Sequence, residues 1–344
     1  MQLKTIFTSI MLSLPVFCYA QQKDTTAEKM LVYQLGNGGW PKQLESKSVV
    51  NYAAPLTEVL MSQIKETTVQ HATIDNKATS REINYLVAAY KKTKNAAYLK
   101  AAEKGIDYIL SAQYSNGGWP QYYPNKALYR SEITYNDNAM VNVLEIMQNI
   151  VTGTNDFDQV APSYLPKAKK AVEKGLNCIL KTQVLQNGKL AIWAAQYDKD
   201  TLRPAKARAF EPASLSTSES VGIVRFLMRF KNPSAEIKTA IISAKNWFEA
   251  NKITGYKFGG VVDNTTNVKN MTLVKDSNAV AWARFYDLTN NKPIFGDRDN
   301  TVKYKLEELS NERRNGYAWY GNFAQQLIAK EYPKWCLANG IKTI

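Results

Sequence analysis

Apolar residues return every three or four positions along most of this chain, and the spacing predicts helices at about 56–69, 81–92, 137–152, 216–231, 235–250, 277–289 and 323–331. One helical pattern occurs twice. The run from Ala101 to Gln113 reappears in outline from Ala171 to Gln183, with Glu103-Lys104-Gly105 matching Glu173-Lys174-Gly175 and Ile109-Leu110 matching Ile179-Leu180. Each copy runs into a loop with Asn-Gly, and a repeat of this length holds two helices and their connections. Repeated helix pairs build a solenoid or toroid whose connecting loops gather at one end and line a cleft. The expected fold is mainly α, an incomplete α/α toroid of (α/α)3-like form, with short β pieces such as Leu190-Ala191-Ile192-Trp193 between helices. Residues 21–55 read as an irregular extension packed on a catalytic domain at 56–344, with no clear linker.

The loop Asn116-Gly117-Gly118-Trp119-Pro120-Gln121-Tyr122-Tyr123-Pro124 ends a helical pattern with two glycines, two prolines and three aromatics. The glycines permit positive φ and the prolines remove donors, so the chain leaves the helix as a rigid loop. A near copy, Asn37-Gly38-Gly39-Trp40-Pro41-Lys42-Gln43, lies upstream. Two readings follow: aromatic faces such as Trp119 and Tyr122 offered to a sugar, or a hydrophobic helix stop.

Residues 1–20 carry Lys4, an apolar stretch from Ile6 to Phe17, and Cys18-Tyr19-Ala20 before a polar start, the pattern of a signal peptide cut after Ala20. The expected protein is exported to the periplasm or beyond it, a monomer with no stable membrane insertion. Cys178 and Cys336 alone remain after such a cut, too few for a disulfide framework. The formal charge of +14, from 44 Lys+Arg against 30 Asp+Glu, calls for a polyanion. No nucleic-acid-binding motif is evident, and an exported protein rich in Tyr and Trp suits an acidic polysaccharide. The single histidine, His71, disfavours two-histidine zinc sites and Ser-His-Asp chemistry and reads as structural.

Three polar clusters sit at turns or helix starts. The first two, Ile74-Asp75-Asn76-Lys77 and Tyr135-Asn136-Asp137-Asn138, read as helix N-caps or as hard oxygen donors of the kind Ca²⁺ takes. Their spacing matches no contiguous calcium loop. The third, Lys206-Ala207-Arg208-Ala209-Phe210-Glu211, is followed downstream by Trp282-Ala283-Arg284-Phe285-Tyr286, Asp297-Arg298-Asp299 and Arg313-Arg314-Asn315-Gly316-Tyr317. Arginine beside aromatics recurs, and arginine pairs with carboxylates through two parallel hydrogen bonds.

Taken in this order, the motifs resemble those of the family 10 polysaccharide lyases, which are pectate lyases. The resemblance implies an α/α toroid, a Ca²⁺ requirement and β-elimination on polygalacturonate. It implies calcium ligands at Asp75, Asn76 and Asp137, a Brønsted base at Arg208, and carboxylate-binding arginines at Arg284, Arg298 and Arg313. Asn138 stands where an aspartate is equally acceptable. Arginine is a poor base at neutral pH, so the reading expects Lys206, calcium and other arginines to disfavour its charged form, and an alkaline optimum. Alternatives are a glycoside hydrolase on the same scaffold and a non-catalytic pectin-binding protein. The Gln-x-x-x-Gly-x-Trp segments also match the repeats of triterpene cyclases, but no Asp-x-Asp-Asp acid motif accompanies them.

Overall fold

The computed structural model describes residues 22–262 and 267–342, so the expected export signal at 1–20 lies outside the described residues. Helix α1 (Thr25–Tyr33) and helix α2 (Glu58–Glu66) precede three helical hairpins: α3 (Ser80–Thr93) with α4 (Ala96–Ala112), α5 (Ala139–Thr152) with α6 (Tyr164–Thr182), and α7 (Thr217–Leu227) with α8 (Ala235–Ala250). Helices α3, α5 and α7 lie side by side in one row, and α4, α6 and α8 form a second row against it. Ile83, Leu86 and Val87 of α3, Val143, Leu144 and Met147 of α5, and Ile223, Val224 and Leu227 of α7 are buried in one continuous core. This is the expected incomplete α/α toroid.

The matched segments are staples that hold the hairpins together. Gln113 Nε2 donates to the carbonyls of Gly117 (3.1 Å) and Ala171 (3.0 Å), tying the end of α4 to its own loop and to α6. Gln34 repeats the device with Gly38 and Ala101, and Gln183 with Ala191 and Ala240. Gly117, at φ +95°, presses on α6 so closely that an added Cβ would stand 2.0 Å from the carbonyl oxygen of Lys174. Gly175 in turn makes room for the ring of Trp119. The repeated Glu-Lys-Gly is therefore the landing place of the loop before it. Trp119 is fully buried and its indole N–H donates to the Ile109 carbonyl at 2.8 Å, as that of Trp40 does to Met30. Of the two readings of these loops, the hydrophobic stop holds for Trp119, and its ring has no face to offer a sugar.

Three expectations require correction. Residues 21–55 are not wholly irregular: α1 is capped by Asp24, whose Oδ1 accepts the Ala27 N–H, and buries Ala27, Met30 and Tyr33. Nine residues with one buried position per turn are too short for a convincing period. The helix expected at 277–289 is instead the end of a strand, Lys269–Ala283, paired antiparallel with Ile253–Val262 and bulged opposite Gly255. That partner lies on the far side of a hairpin, so Ala- and Trp-rich residues that suit a helix locally are captured by non-local pairing. The helix expected at 323–331 begins with a π-turn at Leu327–Glu331 and continues as α10 (Tyr332–Ala338), after α9 (Asn311–Gly316).

Short antiparallel bridges run across the loop end of the toroid, joining Pro41 to Ala72, Thr73 to Tyr122, Pro120 to Ile133, Ile133 to Tyr197, Ala194 to Leu215 and Leu215 to Tyr286. They fix the loops before α3, α5 and α7 relative to one another. His71, as expected, is structural, with Nε2 paired to Glu45 at 3.0 Å, and Cys178 and Cys336 are separate buried thiols. Among the described residues no helix is long and apolar enough to cross a membrane.

Candidate active site

The loops entering α3, α5 and α7 each deliver carboxylates to the same end of the helical body. Asp75 and Asn76 sit in a 3₁₀ turn before α3, and Asn136, Asp137 and Asn138 in a matching turn before α5; the two turns pack on each other. Asn76 (φ 49°) and Asp137 (φ 52°) hold the same left-handed place in the two turns, a conformation that Asn and Asp tolerate better than most residues. Thr79 locks the first turn by donating to the Thr73 carbonyl at 2.8 Å, and Thr73 accepts the Asp75 N–H at 3.0 Å. Asp75 is buried. Its Oδ2 is paired with Lys42, and its Oδ1 is buried with no partner. Asp137 lies at the surface, with its carboxyl pushed up by partial burial and by the charges of Asp75 and Glu219. Neither turn aspartate makes a side-chain cap to its helix.

The arginines assemble beside these turns. Phe210 is the hub: the guanidinium carbons of Arg313, Arg208 and Arg298 lie 4.4, 4.6 and 5.6 Å from its ring centre. Arg284 lies 5.1 Å from the ring of Tyr317, which packs edge-on to Phe210. Cation–π contacts let four like charges share one platform, and each is further neutralised by a carboxylate. Arg208 donates from Nε to Glu211 Oε2 at 2.7 Å and from Nη2 to Oε1 at 2.5 Å; Arg284 donates to Glu219 at 2.8 Å. Glu312 is shared by Arg298 and Arg313, and their hydrogen bonds pull its carboxyl down to about 2. Beneath this group a small core of Phe285, Ile294, Phe295, Leu306, Leu309 and Trp319 holds the backbone, with Arg284 N–H donating to Trp319 and the Trp319 indole to the Arg313 carbonyl.

Sequence reasoning expected positive neighbours to depress Arg208. Among the protein's own groups the sign is opposite, because hydrogen bonding to Glu211 dominates and pushes the guanidinium above its usual range. Burial opposes ionisation of Glu211, but Arg208 prevails and holds that carboxyl low. At Arg284 burial likewise works against the charge while Glu219 outweighs it. Arg284 retains a buried Nε–H with no acceptor, on a side chain only 14% exposed. An orphan donor in such a place costs about 1–3 kcal/mol.

A narrow crevice lined by Asn136, Gln196, Ala207, Glu211 and Phe285 lies between the second aspartate turn and the arginine loop. The structure thus brings together Asp75, Asn76 and Asp137 in one cluster and Arg208, Arg284, Arg298 and Arg313 in another beside it. Arg314 is turned away, donating to Asn270 of the long hairpin at 2.6 Å. Lys206 stands apart from the arginine platform, with Nζ 3.4 Å from Asn300, beside a shallow cleft of about 350 Å³. Tyr122 is nearly buried under Lys42 and Arg130, close to Asp75. A larger concavity of about 910 Å³ near Trp247 and Asn291 is lined by none of these residues. Lys42, Glu211, Glu219 and Tyr317 were not singled out from sequence, although Lys42, Glu211 and Tyr317 stand inside the motifs that were.

Among the described residues no three His, Cys, Asp or Glu side chains gather into a metal cage. Two carboxylates with an amide fit a weakly held oxygen-seeking cation that draws its remaining ligands from water and substrate, and the unpartnered Asp75 oxygen is where such a cation finds an acceptor.

The helical toroid, with its aspartate turns and arginine cluster at the loop end, is that of a polysaccharide lyase, as its relatives show. A family model described as pectic acid lyase matches residues 34–328, and the chain belongs to that family. It is similar to two solved structures of a family 10 polysaccharide lyase from Cellvibrio cellulosa, each 34% identical with a TM-score of 0.79. One covers 92% of this chain and 92% of that chain; the other, a point mutant in complex with trigalacturonic acid, covers 90% and 91%. No curated protein matches the chain.

Proposed function

We propose that this protein is an exported, monomeric, calcium-dependent pectate lyase that cleaves polygalacturonate by β-elimination and leaves a 4,5-unsaturated uronate at the new non-reducing end. The observation that carries the reading is the arginine platform, above all the buried unpartnered Nε–H of Arg284 beside the aspartate turns. A polymer with a carboxylate on every sugar offers an acceptor to that donor and competes with Glu211, Glu219 and Glu312 for the arginines.

In the reaction a proton leaves C5, α to the uronate carboxylate, the C4–C5 double bond forms, and the C4–O bond breaks with its electron pair going to the glycosidic oxygen. That oxygen takes a proton from solvent. Arg284 and Arg313 donate to the carboxylate and stabilise the charge that gathers on it, which is the largest expected contribution to rate. Asp75, Asn76 and Asp137 would hold calcium, which would supply Lewis-acid stabilisation of that charge. Arg208 receives the C5 proton in its neutral form. At pH 10 roughly one free guanidinium in three hundred or fewer is neutral, and Glu211 makes that form rarer still in the unliganded protein.

Ultraviolet absorbance is followed while the protein is incubated with polygalacturonate at alkaline pH, with calcium in one sample and a chelator in the other. Absorbance rising only with calcium is expected. New reducing ends without absorbance would establish a hydrolase instead, and neither change would indicate a binding protein.

A further inference from the structure

Lys42 occupies an unusual position. It follows the Trp40-Pro41 loop, and that loop is hydrogen-bonded into the Asp75 turn: Trp40 N–H donates to Thr79 Oγ1 at 3.0 Å, and Thr73 N–H to the Trp40 carbonyl at 3.1 Å. The ammonium is thereby carried from the N-terminal segment to the buried carboxylate of Asp75, with the Tyr122 ring centre 5.9 Å away. Lys42 engages Oδ2 only, and Oδ1 stays buried and unpartnered. A structural ion pair in such surroundings would be expected to satisfy both oxygens.

We propose that Lys42 is the cation that holds Asp75 when no metal is bound, and that calcium displaces it toward the cleft, where it binds a uronate carboxylate. The inference rests on the calcium and polygalacturonate reading above. Its physical basis is charge balance: an ammonium and a divalent cation at one buried carboxylate repel each other, and an anionic sugar relieves that repulsion. Calcium and substrate then bind cooperatively, each raising the other's affinity by the same factor. The free site stays weak for calcium, because the metal must first break an ion pair.

The test is calorimetric titration of calcium into Arg208→Ala protein, which cannot turn substrate over, with and without trigalacturonate, compared with Arg208→Ala carrying Lys42→Met. Methionine keeps the apolar stem and removes the charge. Calcium should bind the Lys42→Met protein about tenfold more tightly without sugar, the factor for losing one partly buried ion pair, and trigalacturonate should enhance that binding less than in the parent. Lys42→Gln should behave in the same way and serves if the methionine variant does not fold. Unchanged or weaker calcium binding in the variants, with the sugar enhancement intact, overturns the inference and leaves Lys42 a structural pair. A parent that binds neither calcium nor trigalacturonate, together with wild-type protein forming no unsaturated product, would instead bring down the functional reading itself.

Discussion

Arg208 illustrates how a neighbour three positions along the chain decides what a side chain can do. Glu211 closes a tight turn, with its N–H donating to the Arg208 carbonyl at 2.8 Å, and the same turn aims its carboxylate at the Arg208 guanidinium. The pair engages Nε and Nη2 of the guanidinium. Arg208→Ala should lower kcat by several orders of magnitude while the KM for polygalacturonate shifts less than a few-fold, because Arg284 and Arg313 still hold the carboxylates. The need for a neutral guanidinium sets the sign of the pH dependence. Glu211 raises the Arg208 pKa and keeps the neutral fraction small, so log kcat should climb by about one per pH unit through the alkaline range until the fold fails. A plateau from neutral pH upward, measured in initial-rate profiles, would remove Arg208 as the base. The residue types at this site were legible from sequence, since arginine, aspartate and aromatics recur in ordered motifs. The pairing that sets their charge was not, because Arg284 meets Glu219 across 65 positions of chain.

At the scale of elements, the repeated segments carry a double load. Gln113, Gly117 and Trp119 end one helix, and the same three residues seat the next hairpin through the Ala171 carbonyl, one close backbone approach to Lys174 and the ring of Trp119 against Gly175. Gln113→Ala leaves two carbonyls without their shared donor and should cost about 1–3 kcal/mol in denaturant unfolding. Trp119→Ala should cost about 3–5 kcal/mol by opening a core cavity. In the folded fraction of a milder Trp119→Phe variant, kcat/KM should stay near the parent value; a large loss there would restore Trp119 to the sugar site. The inner-row helices α3, α5 and α7 were all expected from sequence to within a few residues, since a sustained apolar stripe survives any context. The strand Lys269–Ala283 was not, for its conformation depends on a partner reached through a hairpin. That hairpin matters to the site: Asn270 and Met271 hold Arg314 and Asn315 of α9, and so fix the face on which Arg313 meets Phe210.

Over the whole molecule the excess of positive charge and the arginine platform point the same way, toward a polyanion arriving at the loop end. Raising salt from about 0.1 M to about 1 M shortens the screening length from about 10 Å to about 3 Å. The KM for polygalacturonate should therefore rise several-fold with kcat changed much less, and a salt-independent KM would mean that the net charge plays no part in capture. By itself the sequence determined the mainly α repeat architecture, the excess of positive charge and the cast of charged residues, because periodicity, charge and ordered motifs are properties of the chain alone. Only the tertiary structure decided that Trp119 is core rather than contact surface, that Arg313 and not Arg314 joins the platform, and that Arg208 meets Glu211 and Asp75 meets Lys42. Burial and the balance of opposite charges are set by which distant segments pack together, and a chain written out in order does not contain that distance.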